Sequence, residues 1–313
     1  MIPTNTYIRA TSVEQAISMA QAHQGAFRYL AGGTDALVNK FQGNDEASVL
    51  IDISGIAALK QIVTGDSLLV IGSMVCLDDL EKHPVISGRI PALVEAAQSV
   101  ASPTIRKTAT LGGNLLCENR CTFYNQSAWW REAAGHCLKC HGTVCLATGG
   151  SKNCFSKFVS DTAVVLISLD AHIEVSGATG TTIIPLGSIY TGDGINPRQV
   201  SETAVIRSVH VQVGGNPKTI YKKLRKRESI DFTSLSTAVT LQDSGRIRIV
   251  MGGVHAKPVV VDGSAADNMN DLINLAVTTS RMVDNDTYSR AYRKEIISVF
   301  LERSFRELKL IHD

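Results

Sequence analysis

TIRKTATLGGN (Thr104–Asn114) and the stretch that follows it, CENRCTFYNQSAWWREAAGHCLKCHGTVCLATGGSKNC (Cys117–Cys154), hold most of what this sequence says about its fold. TLGGN (Thr110–Asn114) closes a polar, glycine-rich loop. A second glycine pair, AGGTD (Ala31–Asp35), follows the strand-like FRYL and leads into a short helix, ALVNKF. Gly-Gly pairs let backbone N–H groups approach an anion closely, and successive N–H groups form an anion-binding nest. Thr34 and Thr110 add hydroxyl donors. Neither motif is G-x-G-x-x-G or G-x-x-x-x-G-K-[ST], so neither a Rossmann site nor a P-loop is indicated. Each pair alone reads as an ordinary tight turn. Together they point to a pyrophosphate held between two loops.

Six of the seven cysteines fall between Cys117 and Cys154, and Cys76 stands apart. Crowded cysteines hold a metal, a cluster, a haem or a disulfide. Cys137-Leu-Lys-Cys140-His141 matches the c-type haem motif, but covalent haem attachment needs export, and the start MIPTNTYIRATSVEQA lacks a basic n-region followed by an apolar h-region. A disulfide framework is disfavoured in the reducing cytoplasm, where this reading places the chain. Structural zinc would use four cysteines, or three and a histidine. An iron–sulfur cluster needs four thiolates. Spacing alone leaves zinc and iron–sulfur both open.

The 313 residues suffice for two or three domains, and the 44% hydrophobic and 19% charged composition is that of a globular protein. A net charge of +2 gives no reason to expect nucleic acid or an anionic membrane as partner, and no apolar run reaches spanning length. SVLIDI and SLLVIGS read as strands. Two helical stretches are expected between Leu77 and Val100. TAVVLISLDAHIEV resumes strand-like patterning, which makes the cysteine stretch an insertion between core elements. A boundary falls near VGGNPK (Val213–Lys218). Beyond it SLSTAVTL and RIRIVMGGV read as strands, followed by two helices, the last from about Asp286 to about Leu308 with amphipathic spacing.

AGGTD, TIRKTATLGGN, Ser160-Asp161 after the cysteine stretch, and YKKLRKRESIDF (Tyr221–Phe232) occur in the order and context of a known family. Over essentially its whole length, including MGGVHAKP, the chain resembles the FAD-binding medium subunit of the molybdenum hydroxylases, the xanthine dehydrogenase and carbon monoxide dehydrogenase group. The inserted CTFYNQSAWW segment narrows the likeness to the β subunit of 4-hydroxybenzoyl-CoA reductase, which carries an extra [4Fe–4S] cluster there. The resemblance implies an α+β fold. Residues 1–214 would form a two-part FAD-binding domain of the PCMH (vanillyl-alcohol oxidase-like) type, with residues 117–159 as the iron–sulfur insertion. Residues 215–313 would form a C-terminal α/β domain of the CO dehydrogenase flavoprotein type.

It also implies site roles. The cluster ligands match Cys121, Cys137, Cys145 and Cys154, spaced C-x15-C-x7-C-x8-C, which leaves Cys117 and Cys140 as surplus thiols or small buried residues. Leu30, Ala31, Gly32, Gly33, Thr34 and Asp35 would cradle the FAD pyrophosphate with Thr110, Leu111, Gly112, Gly113 and Asn114. Val100 would pack near the flavin and Ile206 against the isoalloxazine. Asp161 would hydrogen-bond the cofactor. Lys223 would place a positive charge near the flavin, favouring its anionic reduced form. Without the family, Asp161 passes for a helix cap and KKLRKR for a solvated basic face. At least one of Trp129 and Trp130 reads as core of the insertion, the alternative being a shield for the cluster or a partner contact.

No catalytic residue of the substrate chemistry is expected on this chain. Its partners would be a large molybdopterin-binding subunit, a small subunit with [2Fe–2S] clusters, and ferredoxin or a similar carrier. In the reductase, electrons would run from that donor through [4Fe–4S] and FAD to molybdenum. In a hydroxylase or dehydrogenase for another aromatic or heterocyclic substrate they would run outward. A zinc-stapled FAD-binding or assembly protein is the alternative of another class.

Overall fold

The computed structural model describes residues 6–311. Residues 1–5, which open both the segment read for a signal and the first expected domain, lie outside the described residues, as do residues 312–313 at the end of the second. Among the described residues, three sheets organise the fold. β1 (Thr6–Arg9), α1 (Val13–Ala22), β2 (Phe27–Leu30), α2 (Ala36–Phe41) and β3 (Val49–Asp52) form the first unit, a parallel sheet in the order β1-β3-β2. Ser12 caps α1, and Val13, Ala16, Ile17 and Ala20 recur at helical spacing to bury one face on this sheet.

β4 (Ile62–Thr64) and β5 (Leu68–Gly72) then lead to three helices, α3 (Leu77–Lys82), α4 (Pro84–Arg89) and α5 (Pro91–Gln98). Two helices were expected here. Pro84 and Pro91 each occupy a first-turn position and restart the helix, which divides the run into three. The polar stretch read as a loop contains two short helices, α6 (Pro103–Arg106) and α7 (Leu111–Leu115), capped by the side chains of Ser102 and Thr110. The insertion carries α8 (Ala128–Ala134). α9 (Asp161–Ser168) follows, then β6 (His172–Gly177), β7 (Gly180–Pro185) and β8 (Val205–Gln212). The second sheet is antiparallel, in the order β4-β5-β8-β6-β7.

The strand expected at TAVVLIS is therefore a helix. Every residue of α9 is buried, so it lacks the polar face that marks a helix in sequence, and its apolar run of β-branched residues imitates a strand. The third sheet is an antiparallel meander of β9 (Lys218–Leu224), β10 (Leu235–Leu241), β11 (Arg246–Gly252) and β12 (Val259–Ser264). β9 and β12 were not read as strands. α10 (Met269–Thr279) and α11 (Arg290–Glu307) cover one face of this sheet. Ser289 caps α11, whose buried stripe is Arg293, Ile297, Leu301, Ser304 and Phe305.

α9 packs on the other face of that sheet, against β10 and β11. Small residues let it come close: Ala238 belongs to the shared core, and Thr240 donates to Ser168 Oγ at 2.7 Å. The same apolar cluster joins α3, α5, α9 and the five-stranded sheet. α9 is thus the element on which the second and third sheets meet.

The central place of α9 predicts a large effect of truncation. Leu166 is 0% exposed. Leu166→Ala should cost roughly 2–5 kcal/mol. Chemical denaturation should show a lower midpoint at unchanged slope.

Candidate functional site

The two glycine loops touch. β2 ends at Leu30, and a β-carbon built on Gly32 would stand 1.7 Å from the carbonyl oxygen of Thr108, so only glycine lets AGGTD lie against the segment leading into TLGGN. Gly112 is also confined, though less tightly, since an added β-carbon would meet the Ser73 side chain at 2.8 Å. The Thr110 hydroxyl accepts the Gly113 N–H at 3.1 Å. Asn114 ties the loop to α9 across the insertion, because its Oδ1 accepts from Ser160 Oγ at 2.9 Å and from the Thr162 hydroxyl at 2.6 Å.

The start of α9 is also the meeting point of the remaining polar residues. Asp161 pairs with Lys223 at 2.6 Å, with both side chains 5% exposed, and accepts from Tyr221 Oη at 2.7 Å. Lys223 donates onward to the Ser99 carbonyl at 3.0 Å, next to Val100. Burial, then the Asp161 charge, pushes the Tyr221 phenol far above its ordinary range. Tyr221, Lys223 and Arg225 alternate along β9 and its edge, and Arg225 reaches the same Ser99 carbonyl at 2.9 Å. Sequence reading singled out Lys223 alone. The period of two within YKKLR was the available signal for its neighbours. Val100 is half-buried against the main core, while Leu111 and Ile206 are fully part of it.

The insertion is built on fixed anchors. The backbones of Arg120 and Lys157 pair, closing its two ends. Arg131, 3% exposed, donates to the carbonyls of Gln126 (2.5 Å), Gln42 (3.0 Å) and Gly43 (3.2 Å), fastening α8 to the end of α2. Cys121, Cys137, Cys145 and Cys154 all line one recess, walled by Phe123, Tyr124, Leu138 and Leu146. Cys137, Cys145 and Cys154 are buried. Burial raises the thiol of Cys121 to about 11 and that of Cys137 above its ordinary value. Cys140, the second cysteine of CLKCH, and Cys117 are not on the recess wall. All seven cysteines are free thiols. Among the described residues, no three His, Cys, Asp or Glu side chains converge closely enough to hold a single metal ion. Trp129 is 75% exposed, so it is not core of the insertion.

Glu118 joins the recess to the loops. Its carboxylate pairs with Lys139 at 2.9 Å and Arg198 at 3.1 Å, and its N–H donates to Asp35 at 2.9 Å. Burial by itself would raise its pKa, but Lys139 and Arg198 outweigh burial and hold the carboxyl at about 2.

The family described as the FAD binding domain in molybdopterin dehydrogenase matches residues 3–211. The chain belongs to this family. It is 32% identical over 272 residues to the aldehyde oxidoreductase FAD-binding subunit of Escherichia coli, covering 83% of this chain and 85% of that one. It is 26% identical to the carbon monoxide dehydrogenase medium chain of Hydrogenophaga pseudoflava, over 81% of this chain and 76% of that one. A chain of reconstituted CO dehydrogenase from Oligotropha carboxidovorans superposes with a TM-score of 0.77 at 20% identity, covering 98% of both, which shows the fold. The α+β fold of PCMH type is therefore that of the FAD subunit of a molybdenum hydroxylase. Both glycine loops and Asp161 lie within the matched residues of this FAD-binding subunit, and Lys223 lies just beyond them. Among the described residues no helix is long and apolar enough to cross a membrane.

The Glu118 carboxyl has an ordinary value of 4.5 and is held at about 2 in the folded chain. Its pairing therefore stabilises fully above pH 4.5 and fades as pH falls toward 2. Glu118→Gln should be less stable than the parent at neutral pH. That gap should narrow in denaturation curves taken between pH 4.5 and the lowest pH at which the fold survives.

Proposed function

We propose that this chain is an electron-transferring FAD and iron–sulfur subunit of a molybdenum enzyme. FAD would lie between Leu30–Asp35 and Thr110–Asn114, with Val100, Asp161, Ile206 and Lys223 around it, and a [4Fe–4S] cluster would be held by Cys121, Cys137, Cys145 and Cys154. The observation that carries this reading is the shared recess: the four cysteines that the family resemblance implies line it, and the two surplus ones do not. Around a single zinc, four sulfurs stand about 3.8 Å apart. A cube of irons and sulfides would hold its thiolates at its corners, farther apart, and needs four of them, the number that lines the recess. The donor set also fits, being thiols in an apolar enclosure that ligation would deprotonate. Residues 1–214 and 215–313 would be the two domains of the subunit.

Bound FAD supplies one- and two-electron chemistry, and the cluster supplies single-electron exchange. The residues of this chain bind and tune. The loops offer backbone N–H groups to the pyrophosphate. Lys223, oriented by Asp161 and Ser99, would offer its remaining N–H to the flavin. The walls of Phe123, Tyr124, Leu138 and Leu146 keep water from the cysteines. The substrate is handled on a large molybdopterin-binding subunit, with a small [2Fe–2S] subunit between, and a cytoplasmic ferredoxin or similar carrier connects the complex to metabolism.

Two substrate readings stand. The CTFYNQSAWW tract supports 4-hydroxybenzoyl-CoA reductase, in which the phenolic hydroxyl is reductively removed. The identity to an aldehyde oxidoreductase subunit supports oxidation of an aldehyde or another aromatic or heterocyclic substrate. The complex purified with its partners decides between them, by viologen-driven reduction of the thioester in one case or aldehyde-dependent dye reduction in the other.

Anaerobically purified protein should show flavin bands with a broad shoulder that dithionite bleaches, and about four iron and four sulfide per chain. Cys121→Ser, Cys137→Ser, Cys145→Ser and Cys154→Ser should each lose the iron, while Cys117→Ser and Cys140→Ser keep it. Stoichiometric zinc without sulfide would sink the cluster and favour a zinc-stapled protein.

A further inference from the structure

Arg120 stands at the junction of the three segments that mark the flavin site and the cluster. It immediately precedes Cys121, its side chain pairs with Asp35 at the end of AGGTD, and its guanidinium carbon lies 4.3 Å from the ring centre of Phe232, the last residue of YKKLRKRESIDF. The residue is 5% exposed, and its Nη1 is buried with no hydrogen-bond partner. An unpaired buried guanidinium donor is costly. It calls for an acceptor that the protein chain does not provide.

The surroundings say what kind. Both carboxylate oxygens of Asp35 are engaged by the insertion, one by Arg120 and the other by the Glu118 N–H at 2.9 Å. A dianionic pyrophosphate in the adjoining glycine loop would be repelled by Asp35 unless a cation stood beside it. A guanidinium presents several donors in one plane, so it can hold a carboxylate on one nitrogen and a phosphate oxygen on the other.

We propose that Arg120 is a cofactor-binding residue contributed by the insertion, donating from Nη1 to the pyrophosphate of FAD while Nη2 holds Asp35. The inference rests on the placement of FAD between the two glycine loops. It makes the insertion part of the flavin site as well as the carrier of the cysteines.

The test is FAD titration of the deflavinated full-length protein, followed by flavin fluorescence, with iron and sulfide measured on the same samples. Arg120→Gln should weaken FAD and ADP roughly tenfold or more, as expected for a charge-assisted bond, with riboflavin binding and cluster content unchanged. The salt dependence of FAD binding should also become shallower. A purely structural ion pair behaves differently: Arg120→Gln would then weaken riboflavin as much as FAD and ADP, and that result would overturn the proposal. So would FAD affinity within about twofold of the parent in Arg120→Gln. Should that variant not fold, Arg120→Lys preserves the charge but not the fork, and unchanged FAD affinity there overturns the proposal too. Gly113→Val, which displaces the Thr110 cap, separates the premises. Lost FAD in it with retained FAD in Arg120→Gln refutes Arg120 alone, whereas retention in both refutes the placement of FAD between the loops.

Discussion

The ion pair between Asp161 and Lys223 fixes the relation between the second and third sheets at the start of α9. Both side chains are 5% exposed, so each charge depends on the other for compensation. The carboxylate sits in the first turn of α9, where the helix N-terminus favours negative charge, and Ser160 caps that turn. The amine comes from β9 of the opposite sheet. α9 then runs buried on every side between the two sheets, so a shift at its first turn would be felt through the whole apolar cluster. Asn114 takes its bonds from this same turn, and TLGGN inherits the position of α9.

The insertion obeys the same constraint from its other end. It leaves the fold after α7 and returns immediately before α9, so its ends are set by TLGGN and Asp161. Its return is clamped by Lys157, which pairs with Asp286 and donates to the Thr233 carbonyl at 3.0 Å. Asn119 holds the outgoing strand to the carbonyls of Ser156 (3.0 Å) and Ala256 (2.8 Å). A mount of this kind fixes the cysteine recess relative to the two glycine loops. Proteins that must position a site do so by locking the supporting side chains, and here the supports are buried ion pairs and backbone carbonyls.

Sequence reading went astray in ways that share a cause. TAVVLIS looked like a strand because total burial erased the helical period. The bland alternative for KKLRKR, a solvated basic face, does not hold for Lys223 and Arg225, whose charges meet Asp161 and a carbonyl more than sixty residues away. β12 escaped notice because its alternation of buried Val259 and Val261 with exposed Val260 contains no polar residue until Asp262. Arg120 and Glu118 passed unremarked because nothing in CENRC reveals that Asp35 lies against it.

The sequence by itself determined the local chemistry: glycine pairs where two backbones approach, prolines that restart helices, hydroxyl caps at Ser102, Thr110 and Ser160, and six cysteines crowded into one stretch. These are short-range properties, carried by the residue types themselves. Tertiary structure decided which charges meet. Asp161 with Lys223, Asp35 with Arg120 and Glu118 with Arg198 are pairs of residues distant along the chain. Burial of a charge is tolerated only where folding delivers its counter-charge. The same holds for the cysteines: their number and spacing are written in the chain, but that Cys121, Cys137, Cys145 and Cys154 line one wall is a consequence of how Arg120, Arg131 and Lys157 pin the insertion to the fold.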